Sequence, residues 1–197
     1  MSTLDILSWV ATVCSLIYVV LAARSNILCW VFAAIGCAIW AYVSYESRLY
    51  SDAGLQVFYI ATAVVGWISW QKNQRGATAQ LPEVKSMTMK DHLTIWLVGL
   101  PLGYLLGHYL GEHWGAVATY WDAYTTVFSV IVTFAVISRR LENWLYWIGI
   151  DVVTGALYFS RGLTSFGIVM IVYTVVAIFG YIAWRKEMID GLIRDEN

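Results

Sequence analysis

Residues 59–72 read YIATAVVGWISWQK, and residues 173–186 read YTVVAIFGYIAWRK. At an offset of 114 the two segments share Tyr, Ala, Gly, Ile, Trp and Lys, and the shared positions include Gly66 with Gly180 and Trp70 with Trp184. A second series of matches has an offset of 117, and it relates Asp5 to Asp122, Asn26 to Asn143, Leu28 to Leu145 and Trp30 to Trp147. Self-similarity in this order indicates an internal duplication.

The rest of the chain is also strongly apolar. Of its 197 residues, 60% are hydrophobic and 13% are charged, whereas soluble domains have about 25% charged residues. A bilayer crossing needs about 20 mainly apolar helical residues, and seven such stretches follow one another. They begin near Leu4, Ile27, Asp52, Leu93, Ala118, Asn143 and Thr164. The sequence therefore predicts an all-α membrane protein with seven transmembrane helices.

The duplication predicts how these spans are organised, because spans one to three resemble spans five to seven. We expect a first triple-helix bundle at residues 1–70, a cytoplasmic linker with span four at 71–117, a second triple-helix bundle at 118–186 and a cytoplasmic tail at 187–197. Span four returns the chain to its starting side, so the two bundles share one orientation. Parallel repeats of this kind are typical of transporters that hold substrate between the repeats. The alternative is a chance recurrence of aromatic and small residues in apolar helices.

The basic residues predict the orientation of the chain in the membrane. With seven crossings, the connections after the odd-numbered spans lie on one face. All of the 12 basic residues except Arg48 and Arg161 fall on that face. The positive-inside rule then places the C-terminus in the cytoplasm and the N-terminus outside. The formal net charge of −1 provides no overall field that would attract nucleic acid, so we expect membrane lipid around the chain and no nucleic-acid partner.

The sixth span carries the strongest candidate for a functional site. An ionisable residue inside a membrane span is costly and indicates function by default, and Asp151 lies near the middle of this span. At helical spacings of three and four, one face carries Asn143, Trp144, Trp147, Asp151, Thr154 and Tyr158. Aromatic surfaces, hydrogen-bonding groups and one carboxylate suit a planar heteroaromatic ligand, including a cationic one. The alternative is a packed interface in which Asp151 pairs with an Arg or a hydroxyl group elsewhere.

Further polar and aromatic residues are weaker candidates. Gln56 in span three offers a donor and an acceptor to a ligand, or it hydrogen-bonds another helix. Asp122 near the outer end of span five is either a residue at a wetted mouth or a helix N-terminal charge. Tyr59, which the duplication relates to Tyr173, lines the path or packs in the core. Trp residues near span ends are typical interfacial anchors, and we expect this of Trp70, Trp114 and Trp184.

Three stretches of the chain are similar to the PnuC family of bacterial vitamin transporters. They are RRLENWLYWIGIDVVTGALYFSRGL at residues 139–163, LYSDAGLQVFYIATAVVGWISW at 49–70, and the YWDA stretch around Asp122. The resemblance extends over nearly the whole chain. It implies a seven-helix, three-plus-one-plus-three fold like that of the SWEET sugar transporters, in an assembly that is often a homotrimer.

The same resemblance implies a function and a substrate site. The family carries nicotinamide riboside by facilitated diffusion, with relatives specific for thiamine or riboflavin, and an intracellular kinase traps the substrate by phosphorylation. Matched position by position, its binding motif assigns Gln56, Trp144, Trp147 and Asp151 to the substrate site. We therefore expect uptake of nicotinamide riboside across the bacterial inner membrane for NAD synthesis, with no cofactor, no metal and no catalytic residue.

Two departures from the family pattern keep other substrates open. Some nicotinamide riboside transporters have Asn at the position of Asp151, and an NxYGW run where residues 63–67 read AVVGW. The carboxylate of Asp151 suits the aminopyrimidine or the positive charge of thiamine, which makes thiamine the second candidate and riboflavin the third. Since phosphate needs clustered Arg or Lys residues or helix N-termini, an intramembrane carboxylate favours an unphosphorylated ligand.

Two other functional classes compete with facilitated diffusion. An intramembrane enzyme would need catalytic motifs, and the sequence contains neither HExxH nor GxSxG. A proton-coupled carrier would need a group that titrates during transport, and Asp151 is a candidate for this role. The sequence favours a passive transporter over both classes.

Overall fold

The computed structural model describes residues 3–46, 50–72, 83–114, 119–160, 162 and 164–195. Its helices are α1 (Thr3–Ala23), α2 (Cys29–Glu46), α3 (Tyr50–Lys72), α4 (Met89–Trp114), α5 (Thr119–Ile137), α6 (Asn143–Ser160) and α7 (Thr164–Asp195). The expected all-α fold with seven helices is confirmed, and α6 and α7 begin at the predicted residues. Arg48, Arg161 and the middle of the predicted linker, residues 73–82, lie outside the described residues.

Six of the seven described helices are long and apolar enough to cross a membrane, judged by length and composition alone. The exception is α6, in which Asn143, Asp151 and several Trp and Tyr residues replace apolar ones. Large apolar side chains are exposed along the other helices, among them Trp9, Leu97 and Phe179. Such surfaces are compatible with contact with lipid tails. The chain is therefore a multi-pass membrane protein, while a seventh crossing by α6 stays a prediction.

The helices form two compact units, with α1 to α3 in unit 1 (Met1–Glu83) and α4 to α7 in unit 2 (Val84–Asn197). In unit 1, α2 approaches α1 at Gly36, where a Cβ atom would lie 3.3 Å from Cβ of Cys14. The same helix packs on α3 because the ring of Trp30 covers Gly66. Small residues let membrane helices approach closely, so unit 1 is held together by contacts at glycine.

Unit 2 uses the same principle between α4 and α5. Three glycines at four-residue spacing on α4 face three aromatic rings on α5, with Gly99 against Phe128, Gly103 against Tyr124 and Gly107 against Tyr120. The order is antiparallel, as expected of two consecutive helices joined by a short connection. At each of the three positions a Cβ atom would lie less than 3.0 Å from the facing ring, so these contacts fix the register of α4 on α5.

One packing motif occurs in both units at a constant offset of 114, and we call it the Trp-over-Gly motif. Its members are Trp30, Gly66 and Trp70 in unit 1, and Trp144, Gly180 and Trp184 in unit 2. The first Trp covers the glycine and meets the second Trp edge to face, with ring centroids 5.4 Å apart in unit 1 and 5.3 Å apart in unit 2. The interplanar angle is 86° in both units.

The motif corrects two expectations from the sequence. Trp30 corresponds to Trp144, so the offset of 117 that relates it to Trp147 is wrong. Sequence comparison alone does not decide between the offsets of 114 and 117, because each of them aligns Trp30 with a Trp of the WxxW pair. Trp70 and Trp184 are also not interfacial anchors, since each is 0% exposed, whereas anchor side chains lie among lipid headgroups. The side chain of Trp114 lies outside the described residues.

The turns before α2 and α6 share a geometry that places a non-glycine residue in the left-handed region. Ser25 has φ 52° and Arg139 has φ 50°. In both turns the next residue donates its N–H to a carbonyl five positions earlier, Asn26 to Leu21 and Arg140 to Ala135, each at 2.9 Å. This is the Schellman pattern, which usually has glycine in the left-handed position. Neither turn has glycine, so its backbone carries a cost that surrounding contacts must offset.

In unit 2 the turn between α5 and α6 also binds the end of the linker, residues 84–88. The N–H of Lys85 donates to the carbonyl of Arg139 at 3.0 Å, and the N–H of Leu141 donates to the carbonyl of Lys85 at 2.9 Å. The carboxylate of Glu142 accepts from the N–H of Met87 at 2.6 Å and from the hydroxyl of Ser86. Met87 itself is 8% exposed and packs in the core formed by α4, α5 and α6. The linker end is therefore fixed to unit 2.

Replacing Glu142 with Ala is expected to loosen the linker end. The change removes the acceptor of two hydrogen bonds and leaves the N–H of Met87 without its partner, which costs about 1–3 kcal/mol locally. Hydrogen exchange at residues 84–88 should become faster, while exchange in α4 and α5 should stay slow. The matched control is Glu112→Ala, because Glu112 forms an exposed pair with His108 on α4 and such pairs contribute little. Equal exchange rates in both variants would contradict the assigned role of Glu142.

Candidate functional site

The polar and aromatic stripe predicted on the sixth span lies on α6. Spacings of three and four residues place its six members on one side of the helix. Asn143, Trp144 and Asp151 are buried, with 0%, 2% and 7% exposure. Trp147, Thr154 and Tyr158 are half-buried. Because polar side chains are among the most buried residues of this helix, the stripe faces protein rather than lipid over much of its length.

Asp151 is the most unusual member of the stripe. Its carboxylate has neither a hydrogen-bond partner nor an ion-pair partner among the residues that the structure describes. An isolated carboxylate in a buried position is unfavourable unless a counter-charge or a donor reaches it. The alternative of an internal pair with Arg thus finds no support in the described part of the chain. The group is available to a ligand that brings a positive charge or hydrogen-bond donors.

Trp144 is held by its neighbours on α7. Its ring covers Gly180, where a Cβ atom would lie 2.7 Å from the nearest ring atom, and the edge contact with Trp184 limits its movement further. Its indole N–H is buried with no partner in the described chain. The same is true of Trp30 in unit 1, so the unpaired donor does not by itself mark a ligand site. What sets Trp144 apart is its place beside Trp147 and Asp151 on α6.

Asn143 has a structural task as well as a place on the stripe. Its side-chain amide donates to the carbonyl of Arg140 at 2.6 Å, which closes the turn where α6 begins. Its side-chain oxygen is buried and lacks a partner within the described ranges. The nitrogen of the amide is therefore used by the turn, and its oxygen remains available as an acceptor.

The remaining candidates lie on other helices. Gln56 and Tyr59 are half-buried and lie about one turn apart on α3, in unit 1. The ring of Tyr59 contacts Phe58, with centroids 5.7 Å apart. Asp122 is half-buried in the first turn of α5, in unit 2, which suits a carboxylate near a helix N-terminus. Their assignment to a substrate site stays a prediction.

One cluster was not identified from the sequence. Arg139 is 0% exposed, forms an ion pair with Glu187 and lies over the ring of Trp184 at 4.9 Å. The sequence places Arg139 in a connection, among charges that set orientation, and offers no sign that it is buried. A second contact that it does not predict joins α4 to α6, where Nδ1 of His92 is 2.8 Å from the hydroxyl of Tyr146. The Arg139 cluster reaches the stripe on α6 through the contact between Trp184 and Trp144.

Comparison with known proteins relates most of the chain to one family. The family model described as Nicotinamide mononucleotide transporter matches residues 5–186. The nicotinamide riboside transporter PnuC of Neisseria mucosa is 30% identical, in an alignment covering 91% of this chain and 73% of that protein. The PnuC of Escherichia coli K12 is 23% identical over 90% of this chain and 85% of its own length. The riboflavin/roseoflavin transporter RibM of Streptomyces davaonensis is also 23% identical, over 89% and 82%.

A solved structure supports the same relationship. The crystal structure of the vitamin B3 transporter PnuC superimposes with a TM-score of 0.73 and 26% sequence identity. The match covers 92% of this chain and 81% of that one. The likeness therefore extends to the fold and spans almost all of the helices described above.

Proposed function

The chain belongs to the nicotinamide mononucleotide transporter family, and from this membership we propose that it carries nicotinamide riboside into the cell by facilitated diffusion. Like the relatives named above, it is a transporter and not an enzyme. The family name refers to a phosphorylated compound, whereas four of the similar proteins are named for the riboside. Charge distinguishes the two ligands, because only the mononucleotide brings a phosphate.

The observation that carries the proposal is the buried carboxylate of Asp151 beside Trp144 and Trp147. Nicotinamide riboside contains a planar pyridinium ring, which combines a flat π surface with a positive charge. Aromatic side chains bind such a cation through their faces. The carboxylate of Asp151 supplies the counter-charge, because none of the described residues pairs with it. A phosphate group near the same carboxylate would be repelled. The stripe thus suits the riboside better than the mononucleotide.

Thiamine and riboflavin are the other candidate substrates. Thiamine is a planar cation with an aminopyrimidine, so the stripe on α6 accommodates it by the same argument. Riboflavin is neutral, and its support is the similarity to RibM, at 23% identity. Charge thus favours thiamine over riboflavin as the second candidate.

Titration of the purified protein with the three vitamins tests the proposal. We expect nicotinamide riboside to bind most tightly by calorimetry, and nicotinamide mononucleotide to bind at least about tenfold more weakly because of its phosphate. Tighter binding of thiamine would establish the second candidate instead. Binding of the mononucleotide with equal affinity would contradict the role given to Asp151.

Uptake into liposomes distinguishes the mechanisms. Facilitated diffusion predicts that labelled nicotinamide riboside equilibrates across the membrane without accumulating, and that a pH gradient changes neither the rate nor the end point. Accumulation driven by the gradient would indicate a proton-coupled carrier. Appearance of hydrolysed product would favour the enzyme class.

We further propose the architecture and setting implied by the sequence. The Trp-over-Gly motif at a constant offset supports a duplicated three-helix bundle with α4 between the copies, as in the three-plus-one-plus-three fold. The distribution of basic residues supports an N-terminus outside and a C-terminus in the cytoplasm of a bacterial inner membrane. The family resemblance supports a homotrimer and a cytoplasmic kinase that traps the transported vitamin. Labelling of single cysteines at Thr3 and Asp195 from each side of the membrane tests the orientation.

A further inference from the structure

The side chain of Arg139 is fully buried and contacts two residues of α7. It forms an ion pair with the carboxylate of Glu187, and its guanidinium carbon lies 4.9 Å from the centre of the Trp184 ring. A buried guanidinium is costly unless charge and π contacts compensate it. Glu187 is partly exposed while Arg139 is 0% exposed. The cation is therefore on the inner side of this pair, against the tryptophan.

The backbone holds this arginine in place. Arg139 has a positive φ of 50°, its N–H donates to the carbonyl of Val136 at 3.0 Å, and its carbonyl accepts from Lys85 at 3.0 Å. An arginine has no intrinsic preference for the left-handed region. These backbone contacts fix the position of Arg139 in the turn, and its side chain contacts α7 from there.

Through Trp184 the contact continues to the stripe on α6. The edge of one ring meets the face of the other at a centroid distance of 5.3 Å between Trp144 and Trp184. The Trp144 ring also packs against Gly180. Four residues thus form one continuous series of contacts, in the order Glu187, Arg139, Trp184 and Trp144.

Unit 1 has no arginine at the position equivalent to Arg139. Its Trp-over-Gly motif has nearly the same centroid distance and the same angle, but Ser25 occupies the position equivalent to Arg139. A short hydroxyl side chain cannot reach over a ring as a guanidinium does. The cation over the second tryptophan therefore comes, in unit 2, from a position that is not basic in unit 1.

We propose that Arg139 is a positioning residue for substrate binding, which acts through Trp184 to hold the indole of Trp144 in its binding orientation. The inference rests on the proposed function, since it takes Trp144 as a substrate contact. Without the cation, Trp184 loses one of the contacts that fix its ring, and Trp144 gains freedom that substrate binding must remove again. The effect appears in affinity rather than in the formation of the fold.

Affinity measurements on neutral variants test this role. Arg139→Gln and Glu187→Gln are each expected to weaken the binding of nicotinamide riboside by about five- to tenfold, and Arg139→Lys should recover part of the loss because it keeps the charge. The matched control is Arg140→Gln in the same turn. The side chain of Arg140 contacts the backbone carbonyl of Ser86 and the carboxylate of Asp91, and does not contact α7. Its affinity should equal that of the unmodified protein.

A double-mutant cycle separates positioning from general stability. In a Trp144→Phe background, Arg139→Gln should cause little additional loss of affinity, because the ring that it orients has been replaced. Equal losses in both backgrounds, or wild-type affinity in both Arg139→Gln and Glu187→Gln, would overturn the inference. If Arg139→Gln does not fold, Glu187→Gln carries the same test in both backgrounds. Wild-type affinity of Trp144→Phe and Trp144→Ala would instead refute the proposed site.

Discussion

Gly180→Ala is expected to weaken substrate binding by about ten- to a hundredfold, the range that the loss of one aromatic stacking contact spans. The new Cβ atom would lie 2.7 Å from the Trp144 ring, closer than nonbonded carbon atoms approach. The ring cannot move aside freely, because Trp184 packs against it. Alanine is otherwise favoured over glycine within a helix, so the steric displacement of Trp144 is the source of the loss. Calorimetric titration of the purified variant measures it.

Two further glycines provide the controls for this result. Gly191 lies on the same helix with no atom within 4 Å of its ideal Cβ position, so Gly191→Ala should retain full affinity. Gly66→Ala displaces Trp30 in the same way, with a Cβ atom 2.5 Å from that ring. It should lower thermal stability as much as Gly180→Ala does and reduce affinity far less. Wild-type affinity in Gly180→Ala would show that the position of Trp144 does not matter for binding.

The placement of the helices follows from the sequence because lipid leaves the backbone few choices. Every N–H and C=O in the hydrocarbon layer needs an internal partner, so apolar stretches of sufficient length become helices. Their ends are set by local chemistry, as at Asn143, whose side chain hydrogen-bonds the preceding turn where α6 begins. The face of α6 that carries the candidate site also follows from the sequence, because spacings of three and four residues place Trp144, Trp147 and Asp151 on one side of the helix.

The environment of Arg139 could not be predicted in the same way. A basic residue in a short connection normally faces water, and the sequence signal of a left-handed turn is glycine, which is absent from residues 138–142. Burial of the arginine depends on Glu187 and Trp184, which lie more than forty residues away in sequence. The ambiguity between Trp144 and Trp147 has a similar origin, because only packing on Gly180 identifies the counterpart of Trp30.

Asp151→Asn is expected to weaken the binding of nicotinamide riboside by about thirtyfold or more, since loss of one partner of a buried charge pair costs about 2–5 kcal/mol. The substitution keeps the shape of the side chain and removes its charge. Because some nicotinamide riboside transporters have Asn at this position, unchanged binding of the riboside would show that an amide serves this substrate as well as the carboxylate does. Asp151 is 7% exposed and has no counter-charge among the described residues. In the bound state the pyridinium ring would supply that counter-charge. Thiamine binding should fall in the same variant, because thiamine is also a cation.

Riboflavin is the matched control within the same protein, because it is planar and aromatic but neutral. Its affinity, however weak, should be unchanged or improved in Asp151→Asn, since an unpaired buried carboxylate no longer has to be accommodated beside it. A uniform loss for all three vitamins would mean that Asp151 supports the fold of α6 and does not select charge. If Asp151→Asn keeps its affinity for nicotinamide riboside and loses its affinity for thiamine, the carboxylate is a partner of the aminopyrimidine. Thiamine would then be the substrate for which this site is built.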